Sequence, residues 1–458
     1  MDFPIEFAHR MALLLGDEYD AFTAAYDAPL RRGLRVNTQK IATDEFWRLF
    51  PLPLEPSPFA ADSFYLDAPH KAGSDPLHHA GAYYMQEPSA ASAVAVLAPQ
   101  AGEWILDLCA APGGKSTQIA TALGDSGLLW SNEYVGSRAR ILAQNLERWG
   151  ARQAVVSNAD SNLLCEELAE AFDGVLVDAP CSGEGMFRKE PQALTEWSMD
   201  NIRLCAKRQA EILHNASLAV RPGGRLVYST CTFAPEENEG AVAAFLECHE
   251  DFYLEPIRVN WGCAGFSAAQ VAPFCPVSPT MDTTGCRRIL PQHGGEGHFI
   301  ALLRRKGDAP RRCLPPYPLS SKDIHRQEAA ALYSECFTDV PQGSFATVGE
   351  QVRLLPPDMP ACRGIHMLAA GIPVATLCKN RLEPCHGAFL AALPNACQQL
   401  LDFSPDEKGL LDFLRGQEIP CGAKKSWTAV AVGSLPVGFG KAVNGRLKNR
   451  YPKGLRLL

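Results

Sequence analysis

The chain has 458 residues, too many for one core and enough for two to four domains. Its 47% apolar and 21% charged residues exclude wholesale disorder, and its 37 Gly and 35 Pro follow no period, which excludes a collagen-like chain or a solenoid. The formal net charge of −8, taken whole, argues against a polyanionic partner. Residues 419–458, however, hold eight Lys/Arg and no acid, so +8 sits at one end of a body carrying −16.

Sixteen cysteines are scattered, never closer than seven positions and with no CxxC pair. That pattern supports neither a disulfide scaffold nor a zinc ribbon, and no metal is expected. The start, MDFPIEFAHRMALLLGDEYD, lacks a basic region followed by a long apolar one. No apolar run of about 18 residues is present to span a bilayer. The expectation is a reduced, soluble, cytoplasmic monomer with no membrane contact.

Residues 1–82 mix helical and extended patterns. The segment PLRRGLRVNTQK sets Arg31, Arg32, Arg35 and Lys40 around a short apolar stretch, either a strand-edge RNA contact or a solvated basic face. From about residue 100 short apolar runs alternate with helical patterns. WILDLC (104–109), LLWSNE (128–133), AVVS (154–157), GVLVDA (174–179), RLVYST (225–230) and FIALLRR (299–305) read as strands. Between them KSTQIATAL (115–123) predicts a helix. SRARILAQNLERWG (137–150) predicts another, with Ser137 as N-cap, Ile141, Leu142, Leu146 and Trp149 inward, and Gly150 as terminator. A long helix is expected over 199–220, stopped by RPGG, and a further one over PEENEGAVAAFLECH (235–249). This alternation implies a mostly parallel sheet covered on both faces.

Four prolines between 310 and 318 mark a semi-rigid linker, 307–325. Beyond it GIPVATLCK (371–379) and SWTAVAVGSLPVGF (426–439) predict strands in a small α/β module (326–400) and a β-rich module (401–458).

In open parallel sheets ligands bind at the carboxyl ends of strands. LDLCAAPGGKSTQIA (106–120) reads as a strand, a tight turn at Gly113 and Gly114, and a helix start with free N–H groups. A phosphate-binding GxxxxGK[ST] loop would need Gly where Cys109 stands, and GxGxxG is absent, which argues against a nucleotide hydrolase. Glu133, twenty residues after Gly113, ends the second strand, where a carboxylate accepts both hydroxyls of a ribose. Loop plus acid fits a nucleoside cofactor such as S-adenosylmethionine. Asp160, after the third strand, is placed to reach an adenine amine or to act as a cap. Asp178 and Cys181 follow the fourth strand and Cys231 the fifth, so adjacent strands would set two thiols and a carboxylate over the loop.

LDLCAAPGGK, VDAPCSGEG and STCT, with YYMQEPSA (83–90) and EGHFIALLRRK (296–306) flanking them, resemble the motifs of the Nop/Sun-type RNA (cytosine-5)-methyltransferases. FAHRMALLLGDEYDAF and VGFGKAVNGRLKNRYPKGLR (437–456) are similar to a bacterial subgroup acting on small-subunit ribosomal RNA. The resemblance implies a Rossmann-like, seven-stranded S-adenosylmethionine-dependent core over 83–306. It also implies an N-terminal α+β RNA-binding region and a C-terminal PUA-like RNA-binding module. Cys109, Ala110, Ala111, Pro112, Gly113, Gly114 and Lys115 would line the methionine and adenosine pocket. Glu133 would hold the ribose, Asp160 the adenine, Asp178 the cofactor side and the cytosine ring, and Arg138 would contact cofactor.

A thiolate adding to carbon-6 of cytosine makes carbon-5 nucleophilic toward a methyl donor, and a carboxyl group at N3 steadies the adduct. The residues alone leave open which thiol attacks. The resemblance implies that Cys231 is the nucleophile and that Cys181 assists release. Lys441, Arg446, Lys448, Arg450 and Lys453 are the expected RNA contacts, Lys448 and Arg450 forming a clamp about Asn449. The expected substrate is 16S ribosomal RNA, alone or in the small subunit, with transfer RNA as the alternative. A non-catalytic RNA-binding assembly factor is the rival from another class.

Overall fold

Both faces of the central strands are apolar, and the reason is visible in the layers. The computed structural model describes residues 1–320, 323–379 and 381–457; Ser321 and Lys322 of the expected linker, Asn380 and Leu458 lie outside the described residues. Five parallel strands, β1 (Trp104–Asp107), β2 (Leu128–Asn132), β3 (Ala154–Asn158), β4 (Phe172–Asp178) and β5 (Val220–Thr230), lie in the order β3-β2-β1-β4-β5. Leu106, Trp130 and Val175 pack into one wholly buried cluster, while Ile105, Leu129 and Leu176 pack into another.

The remaining strands of this sheet are β6 (Phe252–Glu255), β7 (Cys263–Ala264), β8 (Arg287–Ile289), β9 (His298–Arg305) and β10 (His366–Ala370). β9 runs antiparallel to β5, β6 and β8 share its other side, and β7 lies beyond β8. The expected seven strands thus sit inside a ten-stranded sheet. β10, from the segment expected to form a separate small module, pairs antiparallel with β3 and covers what would otherwise be an open edge. Strand order reverses at β1, which makes the β1–β4 boundary the switch point where ligands bind.

The helices around the sheet include α1 (Gly114–Leu123), α2 (Gly136–Trp149), α3 (Ser161–Glu167), α4 (Met199–Ala219) and α5 (Glu239–Cys248). Several local expectations need correction. Val135, not Ser137, occupies the N-cap of α2, and Ser137 lies within its first turn. Ile141 is 48% exposed, because Leu142, Leu146 and Trp149 define the inward stripe and Ile141 lies about 100° off it. Gly150 does end the helix, with φ 82°. The helix stops before RPGG as expected, but the strand expected from Arg225 starts earlier: β5 begins at Val220, directly after α4, and includes RPGG. Pro235–Glu237 is a separate 3-10 turn, and α5 starts only at Glu239.

The basic run at 31–40 is mostly not a surface. Arg35 is wholly buried, donating to Gln86 Oε1, Gly114 O and Thr117 Oγ1, with its guanidinium 4.8 Å from the Trp149 ring centroid. Lys40 donates to Ala80 O, and Arg31 pairs with Glu55 and Asp67. Arg35 and Lys40, which also reaches Arg148 O, hold the N-terminal region to the catalytic layers, Arg31 braces that region internally, and only Arg32 of the four is exposed.

The N-terminal strands Arg32–Val36, Glu55–Pro56, Ser63–Leu66 and Tyr83–Met85 form their own sheet. Leu34, Phe46 and Phe64 of that region share one core with Leu410, Phe413 and Val430 of the C-terminal module, so the two ends of the chain pack as one body. The proline-rich segment is laid along the protein, Arg311 pairing with Asp173 at 2.6 Å and Tyr317 N donating to Met359 O at 2.8 Å.

Candidate active site

At the carboxyl end of β1 the chain turns through Leu108–Gly113 and enters α1. Leu108 N bonds Leu176 O at 3.0 Å and Ala110 N bonds Asn132 O at 2.9 Å, stitching the turn to β4 and β2. Gly113 has φ 115°, a conformation costly for any residue with a Cβ. From outside, Arg138 Nη2 donates to Ala111 O at 2.9 Å and Asn145 Nδ2 to Pro112 O at 2.8 Å.

A cleft of about 1470 Å³ opens above this turn. Cys109, Ala111, Pro112, Glu133, Arg138 and Asp160 stand on one side, and Asp178, Cys181 and Cys231 on the other. Glu133 Oε1 accepts from Val135 N at 2.8 Å, and Oε2 lies 3.5 Å from Arg138 Nη1. Arg138 therefore ties the turn to the acid at the end of β2. Asp160 caps α3 through Oδ1, which accepts from Asn162 N at 2.9 Å. Burial pushes the Cys109 thiol up, aided by Asp107, so it stays protonated. Ala110, Gly113 and Gly114 act through the backbone that shapes the turn.

The residues present fit an adenosyl group. Glu133 and Asp160 offer carboxylate oxygens at the ends of neighbouring strands, the chemistry that ribose hydroxyls and an exocyclic amine require. Tyr134 and Val135, 72% and 43% exposed, give the same wall an apolar rim suited to a flat ring. Sequence reasoning passed over both; two exposed apolar residues directly after a strand-end acid were the signal available.

Lys115 departs from its expected place. Its ammonium donates to Asp178 Oδ2 at 2.7 Å, and Ser229 Oγ donates to Asp178 Oδ1 at 2.7 Å, in the register that sets Asp178 beside Ser229. Burial pushes the Asp178 carboxyl up, but Lys115 and these hydrogen bonds outweigh it and leave the group below the ordinary aspartate range. Asp178 is ionised.

Cys181 and Cys231 Sγ lie 3.3 Å apart, each half-buried and on the cleft wall. The hydrogen bond to the Cys231 sulfur, then burial, pushes the Cys181 thiol up. A buried polar network fixes both turns. Ser182 N and Gln209 Nε2 donate to Glu237 Oε2 at 3.0 and 2.8 Å, Thr232 Oγ1 donates to Glu184 Oε2 at 2.9 Å, and Gly185 N donates to Cys231 O at 2.8 Å. Arg208, on α4, adds a cation to the far rim of the cleft.

The five C-terminal cations are dispersed in role. Lys441 stacks 4.4 Å over Trp427, Arg446 pairs with Glu418 at 3.3 Å, and Arg450 pairs with Glu383 at 3.4 Å. Lys441, Lys448 and Arg450 share a groove of about 370 Å³ with Arg381, while Lys453 stands apart from it on a 3-10 turn. Asn449, between Lys448 and Arg450, has its side chain on Phe413 O, Gln417 O and Tyr451 N, closing the module's own fold. Among the described residues no helix is long and apolar enough to cross a membrane, and no cluster of metal-ligating side chains occurs.

Strand order, the glycine turn at the switch point and the acid at the end of β2 define a Rossmann-like methyltransferase. The sequence matches the family model described as 16S rRNA methyltransferase RsmB/F over residues 94–304. Three RsmF models match the rest: the N-terminal domain over 3–88, the first C-terminal domain over 332–393 and the PUA domain over 401–457. Ribosomal RNA small subunit methyltransferase F of Shewanella sp. (strain MR-7) is 32% identical, the match covering 95% of this chain and 93% of that one. Its counterpart in Shewanella oneidensis is 31% identical over the same shares. Among solved structures, a methyltransferase homolog from Pyrococcus horikoshii is 30% identical with a TM-score of 0.59, over 66% of this chain and 95% of that one. The chain belongs to the RsmB/F family of 16S rRNA methyltransferases and carries the RsmF-type N- and C-terminal domains.

Proposed function

We propose that this chain transfers the methyl group of S-adenosylmethionine to carbon-5 of a cytosine in 16S ribosomal RNA. The observation that carries the reading is one cleft lined by the Cys181–Cys231 pair, by Asp178 with Lys115 bonded to it, and by the Glu133–Asp160 wall. Family membership and the names of the relatives support the substrate, and ribosomal RNA as substrate implies work in the cytoplasm.

Bound along the glycine turn, with Glu133 at the ribose and Asp160 at the adenine, S-adenosylmethionine supplies an electrophilic methyl group. Cys231, as thiolate, adds to carbon-6 of the flipped cytosine. Asp178, ionised, accepts from the exocyclic amine beside N3, and the Lys115 ammonium next to it offsets charge that develops on the ring. After methyl transfer a base removes the carbon-5 proton, the bond from carbon-6 to Cys231 breaks, and the Cys181 thiol assists the departing sulfur. Unstacking the cytosine costs a few kcal/mol, offset by phosphate contacts from Lys441, Lys448 and Arg450, with Arg446 and Lys453 nearby.

The test is incubation with labelled S-adenosylmethionine and 16S rRNA, naked and in the small subunit, with bisulfite mapping of the product. Label at carbon-5 of cytosine supports the reading; label on no RNA, with RNA binding intact, supports a binding protein instead.

A further inference from the structure

His298 opens β9, and the pairing of Phe299 with Thr230 sets it level with Cys231 on the neighbouring strand. It is buried, and its Nε2 has no hydrogen-bond partner among the described residues. Such an atom needs a reason, because a buried unmade hydrogen bond costs about 1–3 kcal/mol.

The other ring nitrogen defines the proton inventory. Glu87 is held below the ordinary glutamate range: burial opposes this, but Lys189, His298 and hydrogen bonds from Ser89 prevail. An ionised Glu87 only accepts, so Ser89 Oγ donates its proton to Glu87 Oε2, at 2.5 Å. Ser89 Oγ is then an acceptor toward His298 Nδ1, 3.4 Å away, and Nδ1 carries the imidazole proton. Nε2 is left as a bare lone pair. Burial and the nearby Lys115 ammonium pull the imidazole down to about 4, so it stays neutral, with Asp178 and Glu87 opposing and Lys189 reinforcing that shift.

The sheet register brings a donor to the same face: Asp178 is level with Ser229, Ser229 with Ile300, two residues from His298 on one side of β9, and Asp178 holds the Lys115 ammonium. The Lys115 ammonium has three N–H bonds and, among the described residues, one hydrogen-bond partner, Asp178. Cys231 also acts on Lys115, favouring its charged form. A cytosine amine that donates to Asp178 competes with that ammonium for the carboxylate, and a buried cation without an acceptor is costly.

We propose that His298 is a positioning residue for Lys115: its Nε2 receives the ammonium when cytosine occupies Asp178, keeping the cation beside the Cys231 sulfur during attack. Lys115 is buried, and the Glu87–Ser89 pair fixes the imidazole with its acceptor ready. This rests on the reading that cytosine binds Asp178.

The test compares His298→Phe with His298→Gln, whose Oε1 offers an acceptor at similar reach. Binding of labelled S-adenosylmethionine serves as the check on folding. His298→Phe is expected to lower kcat/KM for RNA by about tenfold or more, with His298→Gln recovering most of it. In a Lys115→Met chain the two variants are expected to be equal in residual transfer, or in RNA affinity if transfer is lost. Should the Phe variant not fold, His298→Asn, too short to reach, takes its place. Equal impairment of Phe and Gln variants in the Lys115 chain would overturn the proposal, as would a difference that persists without Lys115. Failure of the unsubstituted chain to methylate cytosine would instead remove the parent reading, and this one with it.

Discussion

Cys181 Sγ and Cys231 Sγ approach to 3.3 Å although fifty residues separate them, because β4 and β5 are parallel neighbours that end level with each other. That contact makes the two thiols one hydrogen-bonded unit at the cleft wall.

Cys231→Ser is expected to abolish methyl transfer. Cys181→Ser is expected to accumulate a covalent protein–RNA adduct, seen as a slow band on a denaturing gel. If the Cys231 variant gave the trapped band, the two roles would be exchanged.

Asp107 lies beneath this site, fully buried, with Oδ2 accepting from Ser116 Oγ at 2.6 Å and Oδ1 unpartnered. Burial, only partly opposed by Ser116, pushes its carboxyl up to about 7. Between about pH 4 and pH 7 the folded chain keeps a proton on Asp107 that the unfolded chain has released, so this group's contribution to stability is lost as pH rises. Asp107→Asn, neutral throughout, is expected to flatten the fall in thermal midpoint across that window. An unchanged slope would mean that Asp107 is ionised in the fold.

Arg288 and Glu239 form a buried pair, Nε to Oε1 at 2.8 Å and Nη2 to Oε2 at 2.5 Å, with Nη1 on Phe233 O. Arg288→Ala strands the Glu239 charge and is expected to destabilise the catalytic layer by about 3–5 kcal/mol. Chemical denaturation would show this. A loss below about 1 kcal/mol would mean that water reaches the site.

Lys448 is exposed in the C-terminal groove and has no ion-pair partner among the described residues. Lys448→Ala is expected to weaken RNA binding uniformly across sequences and to reduce the salt-dependence slope by about 0.7–0.9, one phosphate contact. Arg446→Ala, which also frees Glu418, mixes two effects and is the poorer probe. An unaltered slope in Lys448→Ala would place the RNA on another face.

Much of the site was legible because its residues cluster at strand ends, where a short motif and its place after an apolar run fix position. Glu133, Asp178, Cys181 and Cys231 are of this kind. Lys115 was legible as a position but not as an orientation: the sequence puts it at the start of the helix after the turn, while its long side chain reaches across to Asp178. His298 was hidden within a strand pattern, although an ionisable residue opening a buried strand was a sign. Arg35 and Lys40 misled, because a cation in a sequence looks exposed until its acceptors, here main-chain oxygens and Gln86, are assembled around it.

Alternating apolar runs and helical patterns determined the parallel sheet, and the glycine turn with its downstream acid determined where a nucleoside would bind, since both follow from local periodicity and backbone freedom. Tertiary structure alone decided that β10 closes the sheet edge, that the two chain ends share one core, that Lys115 pairs with Asp178, and that His298 lies level with Cys231. Those contacts join residues tens to hundreds of positions apart, and their energy comes from burial and charge pairing that exist only once the layers have packed.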